Sequence, residues 1–350
     1  MPAGPLARFV SFVVLKSFQY FWSTVTVLGC GWRFLRVGRA LWHAKEHTMP
    51  RRLLDDYTHK HVQLPSGIKI HYVEAGRKES PLMICVHGYP EFWYSWRFQL
   101  AHFKDRYRVI AIDQRGYGDS DAPPAIEDYH IDKLARDVDE IIHTLGYEKA
   151  VVLGHDWGGA VVWKHALTYP QSVERLIVLN CPHPAAFQKL LKSDRRQMMN
   201  SWYMFMYQTP YLPEFVASAE DYKMIEAAFW GRKGGLTNKK NFTAEDMEAW
   251  KATFSRPGAL TPPINYYRCS MQHPVGGSQK MCEPKTLVVW GNGDPFLLVD
   301  GAEMSKEWCR DGEIAIVQGA SHWVQQDEPE IVNGHIDRFL ADIEPNKSHL

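Results

Sequence analysis

The sequence predicts an α/β protein built on a mostly parallel sheet, with a helical insertion over the sheet's carboxyl edge. Three observations carry this. Beyond about residue 60, short β-branched runs alternate with helical stretches. Between His183 and about Gln279 that rhythm stops. A strand, a glycine-rich turn and a helical run stand back to back around residue 156. The runs Leu82–Val86, Arg108–Ile112, Ala150–Leu153, Arg175–Leu179, Thr286–Trp290 and Ile314–Val317 are largely apolar without polar alternation, the pattern of strands buried on both faces. The interrupting segment is rich in Met, Trp, Tyr and Phe in helical patterns, which predicts a lid where α/β proteins place their sites. The chain therefore divides into an amino-terminal segment (1–50), a first core part (51–182), a lid (183–279) and a second core part (280–350).

With 350 residues, 45% of them hydrophobic, the chain can bury a large core. Its 40 basic and 40 acidic residues cancel, so no overall charge draws it to nucleic acid. The six cysteines, Cys30, Cys85, Cys181, Cys269, Cys282 and Cys309, lack CxxC spacing and are read as mostly free thiols. Motifs for hydride transfer, metal chemistry and phosphoryl transfer are absent, so neither cofactor nor metal is expected.

The amino terminus differs from the rest. Phe9–Gly29 runs 21 residues with Lys16 and Gln19 as its strongly polar members, and at about 1.5 Å per residue such a helix can cross a hydrocarbon core about 30 Å thick. A membrane anchor through residues 9–29 is the expectation, set against a cleaved signal peptide or a helix lying on the membrane surface. Arg33, Arg36, Arg39, Lys45, Arg51 and Arg52 follow the stretch, against Arg8 before it, which leans toward a cytosolic catalytic domain. The endoplasmic reticulum is the expected membrane. Asn241-Phe242-Thr243 and Asn346-Lys347-Ser348 are glycosylation sequons in form.

Gly154-His155-Asp156-Trp157-Gly158-Gly159 is the sharpest local signal. It has the form of a nucleophile elbow, with Asp156 where serine usually stands; the competing reading of Asp156 is a helix N-cap. The choice of acid carries chemistry. Serine attacking a saturated carbon would leave an ether, whereas a carboxylate leaves an alkyl ester that activated water can cleave. A carboxylate is also ionised at neutral pH and needs no base to attack. Asp294, in Gly291-Asn292-Gly293-Asp294, and His322, in Ser321-His322-Trp323, each follow an expected strand and complete the order nucleophile, acid, histidine.

Together with His87-Gly88-Tyr89-Pro90-Glu91 and Asp113 to Ser120, these motifs resemble the epoxide hydrolase family of the α/β-hydrolase fold across nearly all of residues 60 to 342. The amino terminus, Phe92-Trp93-Tyr94-Ser95-Trp96 and Ile331-Val332-Asn333 are most similar to the membrane-anchored animal branch, epoxide hydrolases 3 and 4. The resemblance implies that Tyr203 and Tyr267 donate hydrogen bonds to the epoxide oxygen, with Tyr207 and Tyr266 as packing neighbours and a one-residue register shift exchanging Tyr266 with Tyr267. It implies a backbone oxyanion hole at Tyr89 and Trp157, and a structural role for His87, Asp113, Arg115 and Ser120. The implied reaction takes a lipophilic epoxide, fatty-acid epoxides among them, and water to a vicinal diol through an ester on Asp156, hydrolysed by water that His322 activates and Asp294 orients. Two rivals share the features: a haloalkane dehalogenase with the same Asp nucleophile, and a non-catalytic membrane-tethered binding protein on this fold.

Overall fold

The computed structural model describes residues 5–273 and 280–343, with side chains from Val13 onward. Eight strands form one sheet: β1 (Thr58–Gln63), β2 (Lys69–Ala75), β3 (Leu82–Val86), β4 (Arg108–Ile112), β5 (Ala150–His155), β6 (Val173–Leu179), β7 (Thr286–Gly291) and β8 (Gly312–Val317). Their order across the sheet is β1-β2-β4-β3-β5-β6-β7-β8. From β4 to β8 every pairing is parallel, and each expected strand lies within one of these elements. Strands β3, β4, β5 and β7 are buried along their whole length because helices cover both faces, which is why their sequences carry no alternation. The antiparallel edge β1–β2 has no counterpart among the expected strands. Its outer member, THKHVQ, keeps one fully buried side chain, Val62, so the apolar signal is missing there.

Five helices bear on the site and are labelled α1 (Pro5–Val37), α2 (Trp157–Thr168), α3 (Trp202–Met206), α4 (Leu212–Trp230) and α5 (Thr261–Gln272). The last three belong to a run of helices between β6 and β7, with Pro184–Ser193, Arg195–Asn200 and Ala244–Ser255 completing it. This layer is pinned to the core by directional bonds. Trp250 Nε1 donates to Pro90 O (2.9 Å), Tyr94 Oη to Asp246 Oδ1 (2.9 Å) and Trp323 Nε1 to Ala228 O (2.7 Å). Helix α4 is interrupted at Glu220, Asp221 and Tyr222, whose φ angles of 51°, 58° and 64° lie in the left-handed region, at a cost of about 1–2 kcal/mol per residue. The amino-terminal segment holds this turn: Arg33 makes a bidentate pair with Glu220, and His47 Nε2 lies 3.0 Å from Asp221 Oδ1.

The expected spanning segment Phe9–Gly29 falls inside α1, yet no helix among the described residues is long and apolar enough to cross a membrane. Lys16, Ser17, Gln19, Ser23, Thr24 and Thr26 lower its hydropathy. Gln19 and Ser23 are buried, and both meet Thr209 Oγ1 beyond α3, at 3.4 and 2.5 Å. Of the two sequons, Asn241 uses its amide to donate to Asp327 O (3.0 Å), and Asn346 lies outside the described residues.

The turn into α2 depends on the absence of a side chain at Gly158, where a Cβ would come within 2.0 Å of Val86 O and 2.5 Å of His87 O. Gly158→Ala is therefore expected to cost about 3 kcal/mol or more, or to prevent folding. Gly31→Ala, which meets nothing within 4 Å, should stay within about 1 kcal/mol of the parent. Urea denaturation of both variants checks this; equal midpoints would contradict it.

Candidate active site

Asp156 stands at the crest of the turn between β5 and α2, with φ 50° and ψ −119°. A non-glycine residue there carries strain of about 1–3 kcal/mol. Its side chain caps nothing, which removes the N-cap reading. Instead Oδ1 accepts the backbone N–H of Tyr89 at 2.8 Å, and Oδ2 lies 3.5 Å from Nε2 of His322. Trp157, the other expected backbone donor, is the first residue of α2, where an N–H has no acceptor within the helix.

On the far side of the imidazole, His322 Nδ1 contacts Asp294 Oδ2 at 2.6 Å. Asp294 is itself locked: Oδ1 accepts from the N–H groups of Phe296 (2.8 Å) and Leu297 (3.0 Å), and Oδ2 also accepts from Asn180 Nδ2 (2.8 Å). All three members of the expected constellation thus meet at the carboxyl ends of β5, β7 and β8. Burial disfavours the imidazolium, but Asp294 and Asp156 outweigh it and raise the His322 pKa from 6.5 to about 10. Burial likewise opposes ionisation of Asp156, but its contacts with His322 and with the Tyr89 N–H hold its pKa below the usual carboxylate value. The imidazole thus lies between two acidic side chains that favour its protonated form.

Above this array lies a cavity of about 360 Å³. Asp156 and His322 form part of its floor, and Tyr203 from α3 and Tyr267 from α5 line it. Burial raises both phenol pKa values well above 10, with the Asp156 charge adding to it, so both keep their protons. Tyr266 points elsewhere: it is fully buried and its hydroxyl donates to Arg115 O (2.7 Å). Tyr207, expected as a packing neighbour, also lines the cavity. Its spacing of four from Tyr203 is the signal that puts both on one helical face. The remaining lining is mostly apolar, with Trp202, Met206, Met224 and Phe296, while Lys233 adds a cation.

Residues expected to be structural make buried polar contacts below the cavity. His87 Nε2 accepts the N–H of Gln114 (3.1 Å), so its proton sits on Nδ1, 2.8 Å from Gly88 O. Asp113 accepts from Trp93 N and pairs with His71, and Arg115 forks onto Asp137. Three residues to which the sequence assigns no role carry the geometry. Glu91, fully buried, pairs with His155 Nδ1 at 2.6 Å and accepts from Gly88 N, Gln325 and Gln326, and His155 Nε2 reaches His322 O at 2.8 Å. Asn180 joins β6 to the Asp294 loop.

An α/β hydrolase fold model matches residues 81–329. Epoxide hydrolase 1 of Caenorhabditis elegans is 45% identical over 94% of this chain and 80% of its own length. Human epoxide hydrolase 4 is 43% identical over 85% of this chain and 83% of its own. Among solved structures, a mutant Bacillus megaterium epoxide hydrolase complexed with its product, a naphthyloxy-propane-1,2-diol, superposes with a TM-score of 0.74 at 26% identity, covering 81% of this chain and all of its own.

The electrostatic arrangement has a measurable consequence. Replacing one of the two carboxylates by an amide should lower the His322 pKa, so an NMR titration of Asp156→Asn should find its imidazole deprotonating at lower pH than in the parent. Because folding raises this pKa from 6.5 to about 10, the stabilisation it brings is complete below pH 6.5 and is lost as pH rises toward 10. The stability advantage of the parent over His322→Gln should shrink across that window. An unchanged titration in Asp156→Asn would contradict the coupling.

Proposed function

The chain belongs to the epoxide hydrolases of the α/β-hydrolase fold, and from that premise we propose that it converts lipophilic epoxides to vicinal diols through an ester on Asp156. The observation that carries the proposal is the juxtaposition of Asp156, a His322–Asp294 pair beside it and Tyr203 and Tyr267 in the lining of one mostly apolar cavity.

Asp156 attacks one epoxide carbon, the C–O bond of the ring breaks, and Tyr203 and Tyr267 hydrogen-bond the oxygen as it gains negative charge. The alkoxide is protonated, in net balance by the proton that the His322 imidazolium gives up, which leaves a hydroxyalkyl ester and a neutral imidazole. Esterification removes the Asp156 charge, and with it one of the two carboxylates that raise the His322 pKa. His322 then becomes competent to accept a proton from water, which attacks the ester carbonyl. The developing oxyanion is on the oxygen that Tyr89 N–H already meets, with Trp157 N–H as the second donor. Collapse releases the diol and regenerates the carboxylate.

Substrate class follows from the lining. Met, Trp and Phe side chains favour a lipophilic epoxide, and exposed Lys233 at the same cavity suits the carboxylate of a fatty-acid epoxide. We also propose association with a membrane through the amino-terminal segment, supported by its apolar length and basic flank.

Two variants separate the chemical steps. His322→Gln should still be alkylated but fail to hydrolyse the ester, so intact mass spectrometry should find a stoichiometric substrate adduct on the peptide containing Asp156. Tyr203→Phe with Tyr267→Phe should slow that alkylation by at least about 100-fold, the scale of losing oxyanion donors. Full turnover in His322→Gln without an adduct, or unchanged alkylation in the double variant, would overturn the assigned roles.

A further inference from the structure

Helix α1 is arranged inside out. The side it turns toward the protein carries its polar residues beside two aromatic rings: Gln19 and Ser23 are buried against Thr209, Arg33 pairs with Glu220, and Phe18 and Trp22 pack on Phe205 and Trp202. The side it turns away is apolar. Of the 17 exposed large hydrophobic side chains among the described residues, 12 lie between Val13 and Trp42. Tyr20, Phe21, Leu28, Trp32 and Leu35 are each more than half exposed, and Leu35 reaches 78%. A helix at a water interface shows the opposite polarity, and an apolar patch on this scale marks an interaction site.

The identity of the partner follows from charge and from geometry. Residues 1 to 45 contain Arg8, Lys16, Arg33, Arg36, Arg39 and Lys45 and no acidic residue, a balance that complements anionic lipid headgroups. Contacts with the lid run from Phe18 on Phe205 to Arg33 on Glu220. At about 1.5 Å per residue this docked length is roughly 22 Å, most of a hydrocarbon core. A helix flanked by the polar lid over that distance lies along the membrane rather than through it. The lid beneath it is thin. Trp22 packs on Trp202 with ring centroids 5.3 Å apart, and Trp202 lines the catalytic cavity.

We propose that the outer face of α1 seats in one leaflet of a lipid bilayer, in the membrane plane, and that lipophilic epoxides reach the cavity from that leaflet along the α1–α3 contact. The seating stands on the exposure pattern, the basic charge and the docked length of α1; the delivery route rests on the epoxide hydrolase reading.

The test uses the full chain with phosphatidylcholine vesicles, with and without phosphatidylserine. The parent should float with vesicles, more strongly when phosphatidylserine is present. Phe21→Ser, Leu28→Ser and Trp32→Ser combined should weaken partitioning by about 1,000-fold, since each side chain contributes about tenfold. Turnover of a long-chain epoxyalkane dissolved in the vesicles should then fall by at least about tenfold as the vesicle-bound fraction of enzyme falls, while turnover of water-soluble styrene oxide stays at the parental rate and shows the fold intact. Arg36→Gln with Arg39→Gln should remove the phosphatidylserine preference. Flotation of the triple variant like the parent would overturn the seating. So would a parent that ignores vesicles and forms a dimer which the triple variant abolishes, because the face would then be an interface between copies. Lost flotation with undiminished turnover of the vesicle-borne epoxide would overturn the delivery route. A parent that floats but hydrolyses neither epoxide would refute the epoxide hydrolase reading while leaving the seating supported.

Discussion

The site depends on one buried hydrogen-bonded pair that takes no part in the proposed chemistry. Glu91 and His155, both with no exposed surface, meet at 2.6 Å beneath the catalytic floor. Burial alone would raise the Glu91 pKa, yet His155 and the Gly88 N–H hold it below the usual carboxylate value. The other Glu91 oxygen accepts from Gln325 and Gln326, and the second His155 nitrogen reaches the carbonyl of His322. The loop after β3, the turn after β5 and the loop after β8 are thereby joined at one point. These are the loops that supply the Tyr89 N–H, Asp156 and His322. Removing one partner leaves buried polar groups without their hydrogen bonds, at a cost of about 1–3 kcal/mol or more, which explains why a polar cluster persists under an apolar cavity.

Above that anchor, the arrangement is a problem in charge balance. His322 lies between Asp156 and Asp294, and each carboxylate stabilises its protonated form. A permanently protonated histidine would be useless as a base. In the proposed reaction the first step resolves this, because forming an ester neutralises Asp156. On that proposal Asp156 controls when its neighbour becomes a base. The tyrosines face the opposite demand: burial and the Asp156 charge keep them protonated, as donors to an oxygen must be. With serine at the elbow, one of the two charges around the imidazole would be missing from the start.

Much of this was legible in the sequence, for definite physical reasons. The parallel strands announce themselves because both faces are buried, and the elbow does so because Gly154 and Gly158 stand where Cβ atoms would strike backbone. The edge strand Thr58–Gln63 escaped because an exposed edge needs no apolar run. Glu91 stands in a recognised motif, but its role arises from three loops converging in space, which linear order does not display. Tyr207, read as a packing neighbour, lines the cavity instead, and its spacing of four from Tyr203 is the signal that pointed there. The left-handed turn at Glu220–Tyr222 was not legible, since none of its residues is a glycine. Helix α1 carried a readable signal that length and apolarity obscured: Lys16, Gln19, Ser23, Thr26, Cys30 and Arg33 recur at intervals of three and four, tracing the stripe that faces the lid.

The central claim is that the Asp156 carboxylate, rather than water, forms the new bond to carbon. A single turnover in heavy-oxygen water, with enzyme in excess over epoxide, tests it most directly. The account predicts an almost unlabelled first diol and heavy oxygen in the carboxylate of Asp156, because water attacks the ester carbonyl and leaves one oxygen behind. A heavy first-turnover diol with an unlabelled Asp156 would contradict it.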